Sequence, residues 1–239
     1  MSEFSGSKVV VIGGTSGLGL AVAARCAALG ADIVVASSSE AKVDAARGLL
    51  PAGAVAHVVD VTDEPQVAAL FERVGAFDHL VFTAGDWGPM RSNSRLRDLD
   101  LDLAAQVFAV RFWGGLTAAK HAHPSIVPGG SITLTDGLIA HRPRPGAAVN
   151  TAMAGAIEHL VTGLAVELAP VRVNAVCPGL IATDALAAIP AERITAMTKR
   201  QGVPRAGTPD EAAEAYLYLM RGTYTTGQVL HVDGGMGLT

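Results

Sequence analysis

The chain has 239 residues, 50% hydrophobic and 17% charged, with a formal net charge of -4. That length and apolar content suit one α/β domain over residues 1–239 with a well-filled core, and they exclude a disordered chain. The charge balance offers no clustered Lys and Arg for nucleic acid, and 2 cysteines with no C-x-x-C or Cys/His ligand spacing imply neither a disulfide framework nor a metal site.

In chain order, the N-terminal residues pass without a signal-peptide pattern into an apolar run at 8–12. No uncharged apolar stretch is long enough to cross a bilayer, so a cytoplasmic protein without a membrane partner is expected. Helix-length segments at 18–29, 40–49 and 64–74 alternate with strand-like runs at 32–36, 54–59 and 79–83. This is βαβαβ order, and continuous Val/Ile runs suit parallel strands buried on both faces. A long helical region over 99–122 precedes a strand at 131–135, and a helix at 151–168, stopped by Pro170, leads to a strand at 171–176. A helix at 209–220 and a strand at 228–232 complete the series. The expected fold is a Rossmann-type doubly wound parallel sheet with helices on both faces.

The segment Val9-Val10-Val11-Ile12-Gly13-Gly14-Thr15-Ser16-Gly17-Leu18-Gly19 ends a strand, turns through glycines and opens a helix. Gly13 permits the tight turn, Gly17 lets the backbone approach a pyrophosphate, and Gly19 allows close packing of helix on strand. The free N–H groups of the first turn, with Thr15, Ser16 and Leu18 beside them, then face the anion. Taken alone, such a turn equally serves to pack a helix on a sheet.

The spacing G-x-x-x-G-x-G is similar to the fingerprint of the short-chain dehydrogenase/reductase family, with Ile12 where that family usually has Thr. Asp60-Val61 resembles the family's adenine-contacting pair, and Thr83-Ala84-Gly85 resembles its Asn-Ala-Gly turn. Asn174-Ala175-Val176-Cys177-Pro178-Gly179-Leu180-Ile181-Ala182-Thr183 is similar to the segment whose Pro178, Gly179, Ile181 and Thr183 would meet the nicotinamide. Gly207-Thr208-Pro209-Asp210-Glu211 and the run from Thr226 to Gly235 resemble C-terminal signatures. Each match has a structural reading: Asp60 can cap a turn, and Pro178-Gly179 can turn the chain. Their order over nearly the whole chain carries the resemblance. It implies a nicotinamide dinucleotide, a small-molecule substrate, and a homodimer or homotetramer built on the Ala- and Gly-rich helices at 99–122 and 151–168.

The end of the second strand, Ala36-Ser37-Ser38-Ser39, lacks the acid that commonly binds both ribose hydroxyls in NAD enzymes. Ser37, Ser38 and Ser39 can donate to a 2′-phosphate, which favours NADP(H) over NAD(H). The same serines also read as a solvated loop and helix cap.

The family's catalytic Tyr-x-x-x-Lys is absent. Pro145-Gly146 upstream and Gly155-Ala156-Ile157-Glu158 downstream both place it on Asn150 and Ala154, and a slip by one gives Val149 and Met153. The serine falls on Gly137, or on Asp136 after a slip, and the helical asparagine corresponds to Arg111. Hydride addition to a carbonyl builds alkoxide charge, so an adjacent acid must give a proton; losing it removes about 10²- to 10⁴-fold in rate. The candidate substitutes are Asp136, if burial raises its pKa, and His141, with Asn150 or Arg111 hydrogen-bonding the developing oxyanion.

Two functions stay open. One is an NADP(H)-dependent oxidoreductase acting on a small carbonyl or alcohol by a non-standard proton route. The other is an inactive nucleotide-binding relative that works as a sensor, scaffold or partner subunit. Substrate choice is expected to lie in Asp86-Trp87-Gly88-Pro89-Met90 and in the lid-like segment 185–202, with Trp87, Leu186 and Met197 as candidate pocket walls.

Overall fold

The computed structural model describes residues 3–85, 95–187 and 189–239. Lys8–Ile12 forms β1, followed by α1 (Gly17–Ala28), β2 (Asp32–Ser37), α2 (Glu40–Leu49), β3 (Val55–Val58), α3 (Glu64–Val74) and β4 (Phe77–Phe82). Next come α4 (Leu101–Phe108), a π-helical turn (Ala109–Trp113), α5 (Gly114–Ala122), β5 (Ile126–Thr135) and a 3-10 turn (Leu138–Ala140). The remaining elements are α6 (Ala148–Glu167), β6 (Arg172–Pro178), α7 (Asp184–Ala187), α8 (Ala191–Thr198), α9 (Pro209–Arg221) and β7 (Val229–Val232).

The strands form one 7-stranded sheet in the order β3-β2-β1-β4-β5-β6-β7, and every pairing is parallel. Alternation along the strands divides the core. Val10, Ile12, Leu80, Phe82, Ile132 and Leu134 pack with residues of α3, α5 and α6 on one face. Val9, Val11, Val81 and Val176 pack with α1 and α9 on the other. The chain order reverses between β1 and β4, so their carboxyl ends open the crevice where this class of sheet binds ligands.

Two differences from the predicted elements bear on function. The helical region expected over 99–122 is interrupted by the π-helical turn, which carries Arg111; such turns often sit at functional sites. β5 starts at Ile126, five residues before the expected 131, with a register shift opposite Phe77 and His79 and with Gly129 at φ +88°. Pro128-Gly129-Gly130 therefore is a turn-like irregularity, but one carried inside a strand.

Candidate active site

The glycine turn after β1 is shaped by close approach. Thr83 and Ala84 both donate their N–H groups to the Ile12 carbonyl, at 2.8 and 3.1 Å. A Cβ on Gly13 would lie 2.5 Å from the Ala84 nitrogen, and one on Gly19 would lie 2.3 Å from both the Gly13 carbonyl oxygen and Thr83 Oγ1. Neither position admits a side chain. Gly17 differs: its φ is +53°, and a Cβ there would meet only Thr183, at 3.4 Å. The segment from Pro178 to Thr183 thus reaches over the start of α1.

The start of α1 differs from those of α2, α3, α4 and α9, although α5, α6 and α8 also begin without a side-chain cap. Ser39, Asp63, Asp100 and Thr208 cap α2, α3, α4 and α9 with their own side chains. Ser16 makes no such bond, and the first turn of α1 has no acid. Its N–H groups are therefore presented to the crevice with the positive end of the helix dipole, as a pyrophosphate requires. These residues fit a dinucleotide: the glycines supply the approach, and an uncapped helix supplies the donors.

At the adenosine end the side chains have local partners. Asp60 Oδ1 accepts from the Thr62 N–H at 2.9 Å and its hydroxyl at 2.7 Å, so Asp60 holds a turn after β3, next to the buried Val61. Ser39 Oγ accepts from the Lys42 N–H, and Ser37 Oγ from the Ser39 N–H, both at 3.4 Å. Ser38 is exposed.

The carboxyl ends of β4 and β5 bring several polar side chains together. Arg111 lies across the Ala84-Gly85 turn, where a Cβ on Gly85 would sit 2.5 Å from its Nε. Its Nη1 donates to the Asp136 carbonyl at 3.3 Å. Thr135 points to the opposite face, donating to the Phe82 carbonyl at 2.8 Å beside the Tyr216 hydroxyl at 2.7 Å. Alternation therefore turns Asp136 towards α6.

Asp136 is 1% exposed, and no well-formed hydrogen bond from the described residues reaches either carboxyl oxygen, although the Gly137 N–H, the Cys177 thiol and Glu158 lie close to it. Burial, then the neighbouring Glu158 carboxylate, pushes it up from 3.8 to about 7; the Gly137 N–H and the Cys177 thiol pull the other way. Burial and the Asp136 charge also push the Cys177 thiol up, so it stays neutral. Asn150 and Ala154, on one stripe of α6, are both buried, and Glu158 continues that stripe one turn further. His141 is exposed and lies 2.5 Å from Glu158 across the Nε2 to Oε1 contact, with its ring centroid 4.6 Å from that of His231.

The residues nominated from sequence thus fall into two neighbourhoods. Asp136 and His141 share one cluster, and Asn150 lies on the same helix face as Glu158. Glu158 is a site residue that the sequence motifs do not single out, although its i+8 spacing from Asn150 is visible. The sequence likewise contains no Cys/His ligand spacing. In space, ligand-type atoms of Asp136, His141 and Glu158 lie within 4.8 Å of one another, as do those of His141, Cys177 and His231. These groups come from separate elements, so no local spacing announces them. Trp87 and Met90 lie outside the described residues. Leu186 is half-buried and Met197 is exposed on α8.

Residues 13–237 match the family described as Enoyl-(Acyl carrier protein) reductase. The chain is 33% identical to the short-chain dehydrogenase/reductase malC of Malbranchea aurantiaca, over 97% of this chain and 94% of that protein. It is 34% identical to the cis-4-hydroxycyclohexanecarboxylate dehydrogenase of Sinomonas cyclohexanicum, over 97% of both. Among solved structures, the MalC reductase/Diels-Alderase from Malbranchea aurantiaca superposes with a TM-score of 0.91 at 32% identity, covering 100% of this chain and 99% of that one. A small-chain dehydrogenase in complex with NADPH superposes at 0.79 with 34% identity, covering 98% and 99%. No helix among the described residues is long and apolar enough to cross a membrane.

Proposed function

The chain belongs to the short-chain dehydrogenase/reductase family of nicotinamide-dependent oxidoreductases, and on that premise we propose that it reduces a small carbonyl, or oxidises the matching alcohol, with NADP(H) and with Asp136 in place of the missing tyrosine as proton donor. The carrying observation is the buried carboxyl at the end of β5, without a well-formed hydrogen bond and held near neutrality, one residue before the position of the family's serine. A carboxyl that keeps its proton at neutral pH can give it up when alkoxide charge develops nearby.

The proposed cofactor site comprises Gly13, Thr15, Ser16, Gly17, Leu18 and Gly19 at the pyrophosphate, Ser37, Ser38, Ser39, Asp60 and Val61 at the adenosine end, and Ala84, Gly85, Pro178, Gly179, Ile181 and Thr183 towards the nicotinamide. A bound nicotinamide supplies or accepts the hydride. Asn150 hydrogen-bonds the substrate oxygen from the tyrosine position, Arg111 offsets developing negative charge, and Asp136 yields the proton. The relative solved with NADPH supports NADP(H), as does the absence of an acid from residue 37 to residue 39.

A homodimer or homotetramer is part of the same reading. Gly155 and Gly163 face open space on α6, Val166 there is 79% exposed, and Trp113 beside α5 is 58% exposed, which supports a helix face covered by a second copy. The test is a panel of aldehydes and ketones with NADPH and purified protein. Turnover on at least one is expected. NADPH binding without turnover above background on any of them would replace this reading with that of a nucleotide-binding sensor or scaffold.

A further inference from the structure

A buried carboxyl that gives up one proton per turnover must also recover one, and bulk water does not reach the oxygens of Asp136. Side-chain exposure rises in steps away from it. Asp136 is 1% exposed, the Glu158 side chain 21% and the His141 side chain 38%. Glu158 Oε1 and His141 Nε2 are 2.5 Å apart, and ligand-type atoms of all three residues lie within 4.8 Å of one another. Resting on the reading of Asp136 as donor, we propose that Glu158 and His141 form a proton relay that reconnects Asp136 with solvent.

In the reducing direction the Asp136 O–H bond breaks as the substrate oxygen takes the proton. The His141 imidazolium protonates the Glu158 carboxylate, Glu158 passes that proton to the Asp136 carboxylate and returns to its charged form, and the imidazole takes a proton from water. Each transfer breaks one O–H or N–H bond and makes another, and electron pairs cross to the substrate only with the hydride. Alcohol oxidation runs the same row outward.

The surroundings suit this path. From the π-helical turn, Arg111 holds the Asp136 backbone rather than its carboxyl. From β6, Cys177 faces Asp136 as a neutral thiol and adds no charge. From β7, His231 stands edge-on to His141, and Asp233 beyond β7 acts on Cys177. Glu158 is then the charged group set directly against Asp136. An ordinary surface ion pair between His141 and Glu158 would have no need to adjoin a buried carboxyl.

The test uses the full chain with Glu158→Gln, His141→Ala and His141→Gln. The first readout follows isotope-labelled aspartate carboxyls by NMR and needs no turnover. Glu158→Gln should move the Asp136 titration to lower pH, because it removes the charge that opposes ionisation; an unmoved titration overturns the relay. The second readout is kinetic. Each variant should lower kcat about tenfold or more with little change in KM, and added imidazole should restore His141→Ala while leaving wild type unchanged. Unchanged kcat in all three variants, with activity lost in Asp136→Asn, overturns the relay and leaves the donor in place. Unchanged kcat in Asp136→Asn instead overturns the donor. One equivalent of bound zinc that disappears in His231→Ala also overturns the relay, because a metal-bound imidazole cannot pass the proton.

Discussion

Replacing Asp136 by Asn should stabilise the protein at alkaline pH while leaving it nearly unchanged in acid. An amide and a protonated carboxyl have almost the same shape, so below the ordinary value of 3.8 both proteins bury a neutral group. Burial and the Glu158 charge hold the folded carboxyl at about 7. Between those two values the native state keeps a proton that the unfolded state has lost, so wild-type stability falls as pH rises, and the full cost is present above the folded value. The gap from 3.8 to about 7, at ~1.4 kcal/mol per pH unit, comes to on the order of 4 kcal/mol. Roughly 3 kcal/mol of that accrues between about pH 5 and about pH 8. At 1% exposure, solvent does little to screen it. Urea unfolding of wild type and Asp136→Asn, at several pH values and fixed ionic strength, measures the difference, in which titrating groups not coupled to Asp136 cancel. The gap between the two curves should widen with pH in favour of the variant. A difference that stays constant across that range would refute the buried-acid reasoning.

The glycine turn separates folding from binding. Gly13→Ala, with φ +88° and a Cβ 2.5 Å from the Ala84 nitrogen, should cost on the order of 3 kcal/mol or more in stability by chemical denaturation. Gly17→Ala meets only Thr183 at 3.4 Å, so it should cost about 1 to 2 kcal/mol in stability yet weaken NADPH binding by calorimetry. Titration of wild type with both nucleotides should show tighter binding of NADPH than of NADH; equal affinities would remove the argument from Ser37, Ser38 and Ser39. Tyr216→Phe removes a buried hydroxyl 2.7 Å from Thr135 Oγ1 and should lower stability by about 1 to 2 kcal/mol. Thr135 keeps its bond to the Phe82 carbonyl, and nucleotide affinity should not change.

The sheet was legible because strands buried on both faces are written as unbroken apolar runs, such as Val9 to Ile12 and Asp32 to Ala36. The glycine turn was legible because its spacing reflects close approach, which Gly13 and Gly19 bear out. The π-helical turn at Arg111 was not, since a single inserted residue leaves the apolar periodicity of 99–122 almost intact. Nor was the cluster around Asp136. Its members, Asp136 and His141 after β5, Glu158 on α6, Cys177 on β6 and His231 on β7, are far apart in the chain apart from the first two, and only the fold brings them together. The family resemblance put Asn150 and Ala154 where a tyrosine and a lysine would stand, and Asp136 was nominated from the same alignment of motifs. The sequence could not show that burial beside Glu158 would hold that carboxyl near neutrality.

The proton donor itself is tested most directly by the pH dependence of kcat for NADPH-driven carbonyl reduction, in wild type and Asp136→Asn. Reduction requires the protonated carboxyl, so wild-type kcat should be level in the acid range and fall as pH rises through about 7. Asp136→Asn should lose that limb and run about 10²- to 10⁴-fold slower. An Asp136→Asn protein that keeps the wild-type rate and the same limb would contradict the assignment of the proton to this carboxyl.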